Sequence, residues 1–481
     1  MSVSRDDLCR QIRQKIISVQ EFDLPTYPPS STMILQLPNL AGSVWHPSSS
    51  WFQFRIRYTM TNQAGDNLYI PQYAPDSFID RGMVISPGNS TTVHNIPDCR
   101  QLNSLINTAH NIMQKTFHIN AQPVNETSFA FQSAPFQSNY YPYLVNSVPL
   151  NAGQNVIEIS SMSYMSDVFD ICAIDALLPL GYLSAGSRSA MRFEFNLVPK
   201  AEMGVLQNGF GPTGTIDKIE IFPVYNMTTL IISEALNAEI ERKIMTNSEY
   251  LIPINSYTGT SQSVQSGISS LSTRLFIDEE SVSNLLCGFK PSLPLSATYD
   301  PVQAWSSGNM NYAQHKAGQI YYPAQPITRT LDPVNRRDAY QFMAHVLESK
   351  YTYQSGDGIN TVPTLYHTPA WDQSQQFIFS VNLDSGCSGV YSAADIKRIG
   401  NGTVELLTRF GVGGAFASAL GGTLYFWGQF NQVFVLGTGG LRSIDKMAYN
   451  AIVDSMSAKE EDMLNELLEI SGVSGPKRGV L

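Results

Sequence analysis

Hydrophobic and polar residues alternate with a period of two over much of the chain from residue 32 to residue 445. Residues 51–58 read WFQFRIRY and residues 191–198 read MRFEFNLV, and the same alternation returns in DKIEIF, QFIFSVNL, TVELLTRF and TLYFWGQF. Because successive side chains of a β-strand point to opposite faces, each segment is predicted to be a strand with one buried face. Short strands separated by turn residues are typical of antiparallel β-sandwiches.

A helical period appears at a few places between and beside these strands. At residues 4–20, Ser4 and Asp7 resemble a capping pair and apolar residues recur at every fourth position, so a helix is predicted, followed by a Pro-rich linker. Residues 98–114 and 333–348 predict one internal helix in each half of the chain. The halves are expected to meet near residues 230–260, where a possible short helix returns to extended chain.

The chain is predicted to become helical again after residue 445. Ile444, Met447, Ala451 and Ile452 would form one apolar face, and Ser457 with Glu460 would begin a further helix that stops at Gly472. The apolar stripe of that last helix, which we predict to make assembly contacts, consists of Met463, Leu464, Leu467 and Leu468. Short isolated helices are marginal in water, so this stripe is expected to pack either on its own subunit or on a neighbouring one.

The composition supports a mostly β protein whose net charge does not favour binding to nucleic acid. Charged residues make up only 15% of the 481 positions, and 34 glycines and 27 prolines supply turns. A net charge of -10 gives no basic footprint for phosphates. No secretory signal or apolar stretch long enough to span a membrane is present. Free thiols are expected, because there is no CxxC pair among Cys9, Cys99, Cys172, Cys287 and Cys387.

Sequence patterns that would carry catalysis or ligand binding are weak. The nearest approach to a nucleophile elbow is YLSAG around Ser184, which lacks the first glycine, and the Gly-rich residues 413–422 lack the Lys-Ser/Thr of a phosphate loop. The seven histidines have no zinc spacing, and His315, His345 and His367 are expected on loops or helix surfaces. The acidic runs at residues 278–280 and 460–462 read as solvated faces. No catalytic, cofactor-binding or metal-ligating residue is predicted.

Several segments resemble the double jelly-roll major capsid proteins of Polinton-like viruses and virophages, with adenovirus hexon as a distant relative. The most specific is KAGQIYYPAQPI at residues 316–327, which is similar to a signature of the family's second jelly roll. Residues 77–106 resemble the paired strands, Gly turn and leucine-spaced helix of the first roll. GISSLSTRLFI, DSGCSGVYS and FNQVFVLGTGGL are similar to later strands, whereas the helical C-terminal extension has no counterpart that we can match.

This resemblance implies two tandem eight-stranded jelly-roll sandwiches. Together with the periodicity it predicts an all-β fold with short interrupting helices and helical terminal extensions. The expected divisions are an N-terminal helix and linker at residues 1–31, a first roll at 32–245, a second roll at 246–445 and a helical tail at 446–481.

The resemblance also implies a structural subunit without enzymatic activity, cofactor or small-molecule substrate. Three chains would form a pseudo-hexameric trimer, and trimers would tile an icosahedral virion shell after folding in the host cytoplasm or nucleus. The implied partners are other copies of the chain, penton and minor capsid proteins, and an inner membrane or DNA genome on the inner face. The first alternative is a lectin-like β-sandwich that binds carbohydrate, and the second is a β-sandwich glycosidase, which would need two carboxylates facing each other in a cleft.

Overall fold

The structure is a computed structural model that describes residues 12–71, 74–88, 90–114, 124–125, 146–328, 379–384, 390–410 and 421–456. The range 146–328 is described apart from positions 152, 154, 164, 166, 167, 175, 184, 185, 210, 246–249, 296–300, 303, 304 and 306–309. The internal helix predicted at residues 333–348 lies outside the described residues.

The strands before residue 233 form three antiparallel sheets. In chain order they are β1 (Ile12–Glu21), β2 (Thr32–Pro38), β3 (Val44–Trp45), β4 (Trp51–Thr61), β5 (Asp66–Ile70), β6 (Ile79–Ser86), β7 (Thr91–Ile96), β8 (Val124–Asn125), β9 (Asn146–Pro149), β10 (Val156–Ser163), β11 (Leu178–Pro179), β12 (Ser189–Leu197), β13 (Val205–Asn208) and β14 (Thr215–Ile232). The large sheet has the order β11-β3-β14-β4-β10-β8, with β1 added along β14. The second sheet has the order β2-β12-β6-β7, and β13-β5-β9 form the third.

The strands after residue 250 form two further antiparallel sheets. They are β15 (Leu251–Val264), β16 (Ser270–Phe276), β17 (Val282–Pro291), β18 (Met310–Ala317), β19 (Ile320–Thr328), β20 (Phe379–Asn382), β21 (Thr403–Phe410), β22 (Gly422–Gly437) and β23 (Gly440–Ile444). One sheet has the order β15-β22-β17-β20 with β23 on β22, and the other has the order β16-β21-β18-β19. Among the described strands no pairing joins the first set to the second.

Aromatic side chains fill the space between the two main sheets of the first set. Phe52 of β4 packs edge-to-face on Phe193 and Phe195 of β12, with ring centroids 5.8 and 5.6 Å apart. Trp45 and Tyr225 of the large sheet also contact Phe193. The rings are buried because aromatic residues alternate with polar ones along β4 and β12, as the sequence predicted. The two sheets therefore form one sandwich with a shared core.

The N-terminal helix predicted at residues 4–20 is wrong over its described part. Residues 12–21 form strand β1, which pairs antiparallel with β14 from Ile12 opposite Ile232 to Glu21 opposite Val224. Ile12 and Ile16 are four positions apart, and a spacing of four puts residues on one face of a helix and also on one face of a strand. The exposed edge of β14 offered backbone partners to this β-branched segment, and pairing with it outweighed the local helical signal.

The other predicted helices within the described residues are confirmed. Helix α1 spans Cys99–Gln114, and α2 spans Glu234–Met245 between the two sets of strands. Helix α3, at Ile396–Gly400, was not predicted. Helix α4 occupies residues 446–456. The predicted face of α4 is only partly right, because Met447 is 77% exposed while Tyr449 packs on Tyr391. No helix in the described residues is long and apolar enough to span a membrane.

A matched pair of truncations tests the aromatic core. Phe193→Ala removes a fully buried ring, so the free energy of unfolding should fall by about 3–5 kcal/mol. Phe276→Ala removes the same atoms from a side chain that is 76% exposed, so the change should stay within about 0.5 kcal/mol. Denaturant titration of the two variants measures both changes. Equal losses would contradict the assignment of Phe193 to the core.

Candidate assembly surfaces

Several buried polar groups lie where the two sets of strands meet. His94 of β7 is fully buried, and its Nδ1 lies 3.1 Å from Oγ of Ser256 on β15. The backbone N–H of Ile171 donates to Nε2 of the same ring over 3.2 Å. Nε2 is therefore the unprotonated nitrogen, and Nδ1–H donates to Ser256. Burial lowers the pKa of His94 to about 3, so the bridging ring is neutral.

Backbone groups on both sides extend this contact around His94. The Asp170 carboxylate accepts a hydrogen bond of 2.8 Å from the Asn255 N–H. Thr91 donates from its hydroxyl to the carbonyl of Leu441 on β23 over 3.0 Å. The Tyr250 hydroxyl donates to the carbonyl of Leu177, and burial raises the pKa of this phenol. These contacts fix β7 and the short helix at Asp170–Cys172 against β15 and β23.

Helix α1 adds a second anchoring point between the two sets of strands. Ser104 on α1 donates from its hydroxyl to the carbonyl of Val302, and Trp305 donates from Nε1 to the same hydroxyl over 3.2 Å. Lys290 is also buried here, with its ammonium 3.9 Å from the centre of the Trp305 ring and in contact with the Val302 carbonyl. A cation over an aromatic face is attracted by the ring quadrupole, which offsets part of the cost of burying it.

A buried histidine also lies inside the second sandwich, contrary to the expectation of a surface position. His315 of β18 stacks between Phe379 of β20 and Phe426 of β22, with centroid separations of 5.1 and 5.2 Å. Neither ring nitrogen has a hydrogen-bond partner in the described part of the chain. Burial lowers the pKa of His315 to about 3, so the ring acts as a neutral aromatic plate. His345 and His367 lie outside the described residues.

An acidic segment holds the start of α4. Glu280 accepts from the backbone N–H of Lys446 and Asp445 accepts from that of Ala448, each over 2.7 Å, so both carboxylates cap the helix. Burial and the neighbouring Asp278 raise the pKa of Glu279 to about 7. The segment at residues 278–280 is therefore only partly the solvated face that was expected.

The metal-ligating side chains, the cysteines and the Gly-rich segment form no recognisable catalytic or ligand site in the part of the chain that is described. No group of three or more metal-ligating side chains occurs there. Cys99, Cys172 and Cys287 are buried free thiols, whereas Cys9 and Cys387 lie outside the described residues. Gly421 has a φ of +60°, and a Cβ on Gly422 would meet the Lys290 carbonyl at 2.3 Å, so these glycines serve a turn and a close backbone approach.

Comparison with solved structures identifies the arrangement of the sandwiches. The Faustovirus major capsid protein superposes with a TM-score of 0.53 at 7% identity, over 88% of this chain and 90% of that chain. VP54 of PBCV-1, fitted into a reconstruction of the virophage Sputnik, gives a TM-score of 0.51 at 10% identity, over 89% of this chain and 96% of that chain. The chain has the double jelly-roll fold. No protein-family model and no curated protein matches its sequence.

None of the predicted assembly residues falls within the part of the chain that the structure describes. Met463, Leu464, Leu467 and Leu468 lie outside the described residues, so their role stays a prediction. The contact between the rolls at His94 was missed by sequence analysis, because Ser256 is 162 positions away and no local pattern links the two residues. Helix α1 was predicted as an element, but its contact with Trp305 was not.

The two buried histidines make the stability of the double jelly roll depend on pH. Their pKa values in the folded chain are about 3, below the usual 6.5, so below pH 6.5 only the unfolded chain takes up these protons. Each histidine should therefore stabilise the fold fully above pH 6.5 and lose about 1.4 kcal/mol per pH unit as the pH falls towards 3.

His315→Phe keeps the aromatic stack and removes one titrating ring. The variant should lose about 2 kcal/mol less free energy of unfolding than the native chain between pH 6.5 and pH 5. Phe379→Leu alters the same stack but retains the histidine, so it should keep the native pH dependence. Urea titrations at both pH values provide the measurement. Parallel pH profiles for His315→Phe and the native chain would show that His315 does not titrate as described.

Proposed function

We propose that this protein is a major capsid protein, a structural subunit that forms homotrimers and tiles a virion shell. The observation that carries the proposal is the double jelly-roll fold, shared over about nine tenths of the chain with the Faustovirus major capsid protein. A role without catalysis accords with these structural neighbours. The lectin-like alternative gains no support from the comparisons.

The geometry of two rolls in one chain explains why three chains would suffice for a six-sided building block. Each chain contributes two sandwiches held side by side by β7, β15 and α1, so a threefold ring contains six sandwiches. Rigid pairing of the rolls is needed for such a ring, because a hinge between them would let the outline vary. The buried contacts of His94, Asp170 and Ser104 supply that rigidity.

The further partners follow from the same proposal. Penton and minor capsid proteins would complete the shell, and an inner membrane or the DNA genome would lie against its inner face. The virion is the proposed location, after folding in the cytoplasm or nucleus of the host cell. The division into a first roll at residues 32–245 and a second at 246–445 is proposed with these bounds, except that β1 adds residues 12–21 to the large sheet of the first roll.

The C-terminal tail is proposed to act between subunits. Helix α4 is anchored at its start by Glu280 and Asp445 but presents Met447 to solvent. The stripe of Met463, Leu464, Leu467 and Leu468 that follows in sequence would gain roughly 1.5–3 kcal/mol for each leucine that is fully buried. We propose that a neighbouring trimer or an inner minor protein covers it, and packing on the chain's own base is the alternative outcome of the test.

The oligomeric state is the first test of the proposed function. Purified protein should run as a trimer at micromolar concentration in multi-angle light scattering, because an obligate interface of this class buries more than roughly 2,000 Å². Negative-stain images should show particles with a six-sided outline. A stable monomer at the same concentration would refute the proposed trimer.

Truncation after Asp445 tests the tail. We expect the shortened chain to fold and form trimers, since the strands that build both sandwiches end at Ile444, but to fail to close shells. A full-length chain with Leu464→Asp, Leu467→Asp and Leu468→Asp should show the same defect. Normal shell yield from either variant would refute the assembly role. Loss of folding in both would show that the tail is core of its own subunit.

A further inference from the structure

The outermost strand of the large sheet is unusually exposed. β1 pairs with β14 on one side, and its other edge pairs with no strand among the described residues. Ile17 is 52% exposed and Val19 is 60% exposed on the outward face. A long edge strand with exposed apolar residues is a template for pairing with another strand, and natural proteins usually cover such an edge or block it with charge.

Charges on the outward face of β1 are arranged in order along the strand. Arg13 and Lys15 come first, Ile17 and Val19 stand in the middle, and Glu21 ends the strand. All three charged side chains are exposed, and none forms an ion pair with a residue that the structure describes. Asp23 follows two positions later and is also exposed. The face therefore runs from positive through apolar to negative.

Such an order is complementary to itself when two copies of the strand run antiparallel. With Ser18 opposite Ser18 of a second copy, Lys15 falls opposite Glu21 and Ile17 falls opposite Val19, each pair occurring twice. Arg13 stands at the bulge in β1 and Asp23 lies beyond the end of the strand, so neither counts toward this pairing. Directly opposite residues of an antiparallel pair lie on the same face with Cβ atoms about 4.5–5.5 Å apart, so Lys15, Ile17, Val19 and Glu21 each meet a compatible partner. If one copy of β1 were shifted by a single residue along the other, the outward side chains of the two copies would lie on opposite faces of the joined sheet.

We propose that β1 is a two-fold contact surface on which a second copy of this chain docks its own β1, antiparallel and centred on Ser18. The pairing would satisfy the backbone groups of the free edge, bury Ile17 and Val19, and join two large sheets into one continuous sheet. The occupant is identified by the self-complementarity of Lys15, Ile17, Val19 and Glu21, four alternate positions on one face of the strand in which two apolar residues stand between opposite charges.

The symmetry of this contact places it between trimers. A two-fold contact joins two copies of β1, whereas a trimer contains three copies. The three strands therefore cannot all be paired within one trimer. It would instead link each trimer to its neighbours in a shell. This last step rests on the proposed function, while the strand pairing itself does not.

Cysteine cross-linking tests the pairing and its register in the full chain, with Cys9 and Cys387 replaced by serine. In this background Ser18→Cys puts one thiol directly opposite its symmetry mate, at a Cα separation of about 4.5–5.5 Å that a disulfide can span. Gln20→Cys is the matched control, because its mate lies four positions along the strand, about 13 Å away. Mild oxidation should give disulfide dimers with Ser18→Cys and only background with Gln20→Cys.

Two results would overturn the pairing. One is an equal, background yield from Ser18→Cys and Gln20→Cys at concentrations where the protein associates. The other is efficient cross-linking by Ile17→Cys instead of Ser18→Cys, because that would centre the contact on a different residue. The trimer is measured separately by light scattering, so a chain that cross-links through Ser18 without forming trimers would refute the proposed function and keep the strand pairing.

Charge reversal tests the ion pairs, because recovery of association in a double variant reports the pairing itself and not the stability of the fold. Lys15→Glu and Glu21→Lys should each weaken association between trimers by roughly tenfold, since two attractive pairs become repulsive at every contact. The double variant Lys15→Glu/Glu21→Lys should restore it, and Arg188→Glu, with the same change in charge on an exposed loop, should leave it unchanged. Sedimentation velocity of trimers measures the association. No rescue by the double variant would contradict the pairing of Lys15 with Glu21.

Discussion

Unpaired backbone groups at the edges of β-sheets are the constraint on which this architecture depends. Every sheet has two outer strands whose N–H and C=O groups must be satisfied by water or by another element. In the first sandwich the segment before the core strands is used for this purpose, since β1 covers the edge of β14 from residue 224 to residue 232. That addition moves the free edge outward to β1, whose charges and apolar residues then decide what can pair there.

The contact between the two rolls obeys a related rule for side chains. A buried polar group is tolerated only when it is paired, and His94 meets this rule by accepting from Ile171 and donating to Ser256 as a neutral ring. Lys290 is buried against the Trp305 ring and the Val302 carbonyl. His94 and Ser104 bond to Ser256 and Val302 of the other roll, and these bonds fix one arrangement of the rolls, because sliding one roll over the other would break them.

His315 shows a different use of the same residue type. Its ring is stacked between two phenylalanines and contributes area and shape to the core, with its pKa lowered by burial alone. His94 and His315 thus share a neutral state but differ in purpose, since only the first links two elements by hydrogen bonds. For a protein proposed to act by assembly, both serve to hold a shape.

The sequence by itself determined several long strands of the sandwiches and helix α1, because alternation along β4 or β12 and the apolar spacing of Leu102, Leu105 and Ile106 are local signals. It did not determine β1, since residues four apart share a face in both a helix and a strand, and only the edge of β14 resolved the choice. The hydrogen-bond partners of His94, Ser104 and Tyr250 likewise could not be predicted from the sequence. Each is joined to a residue 73 to 198 positions away, and such contacts depend on how two finished sandwiches pack, which no local period encodes.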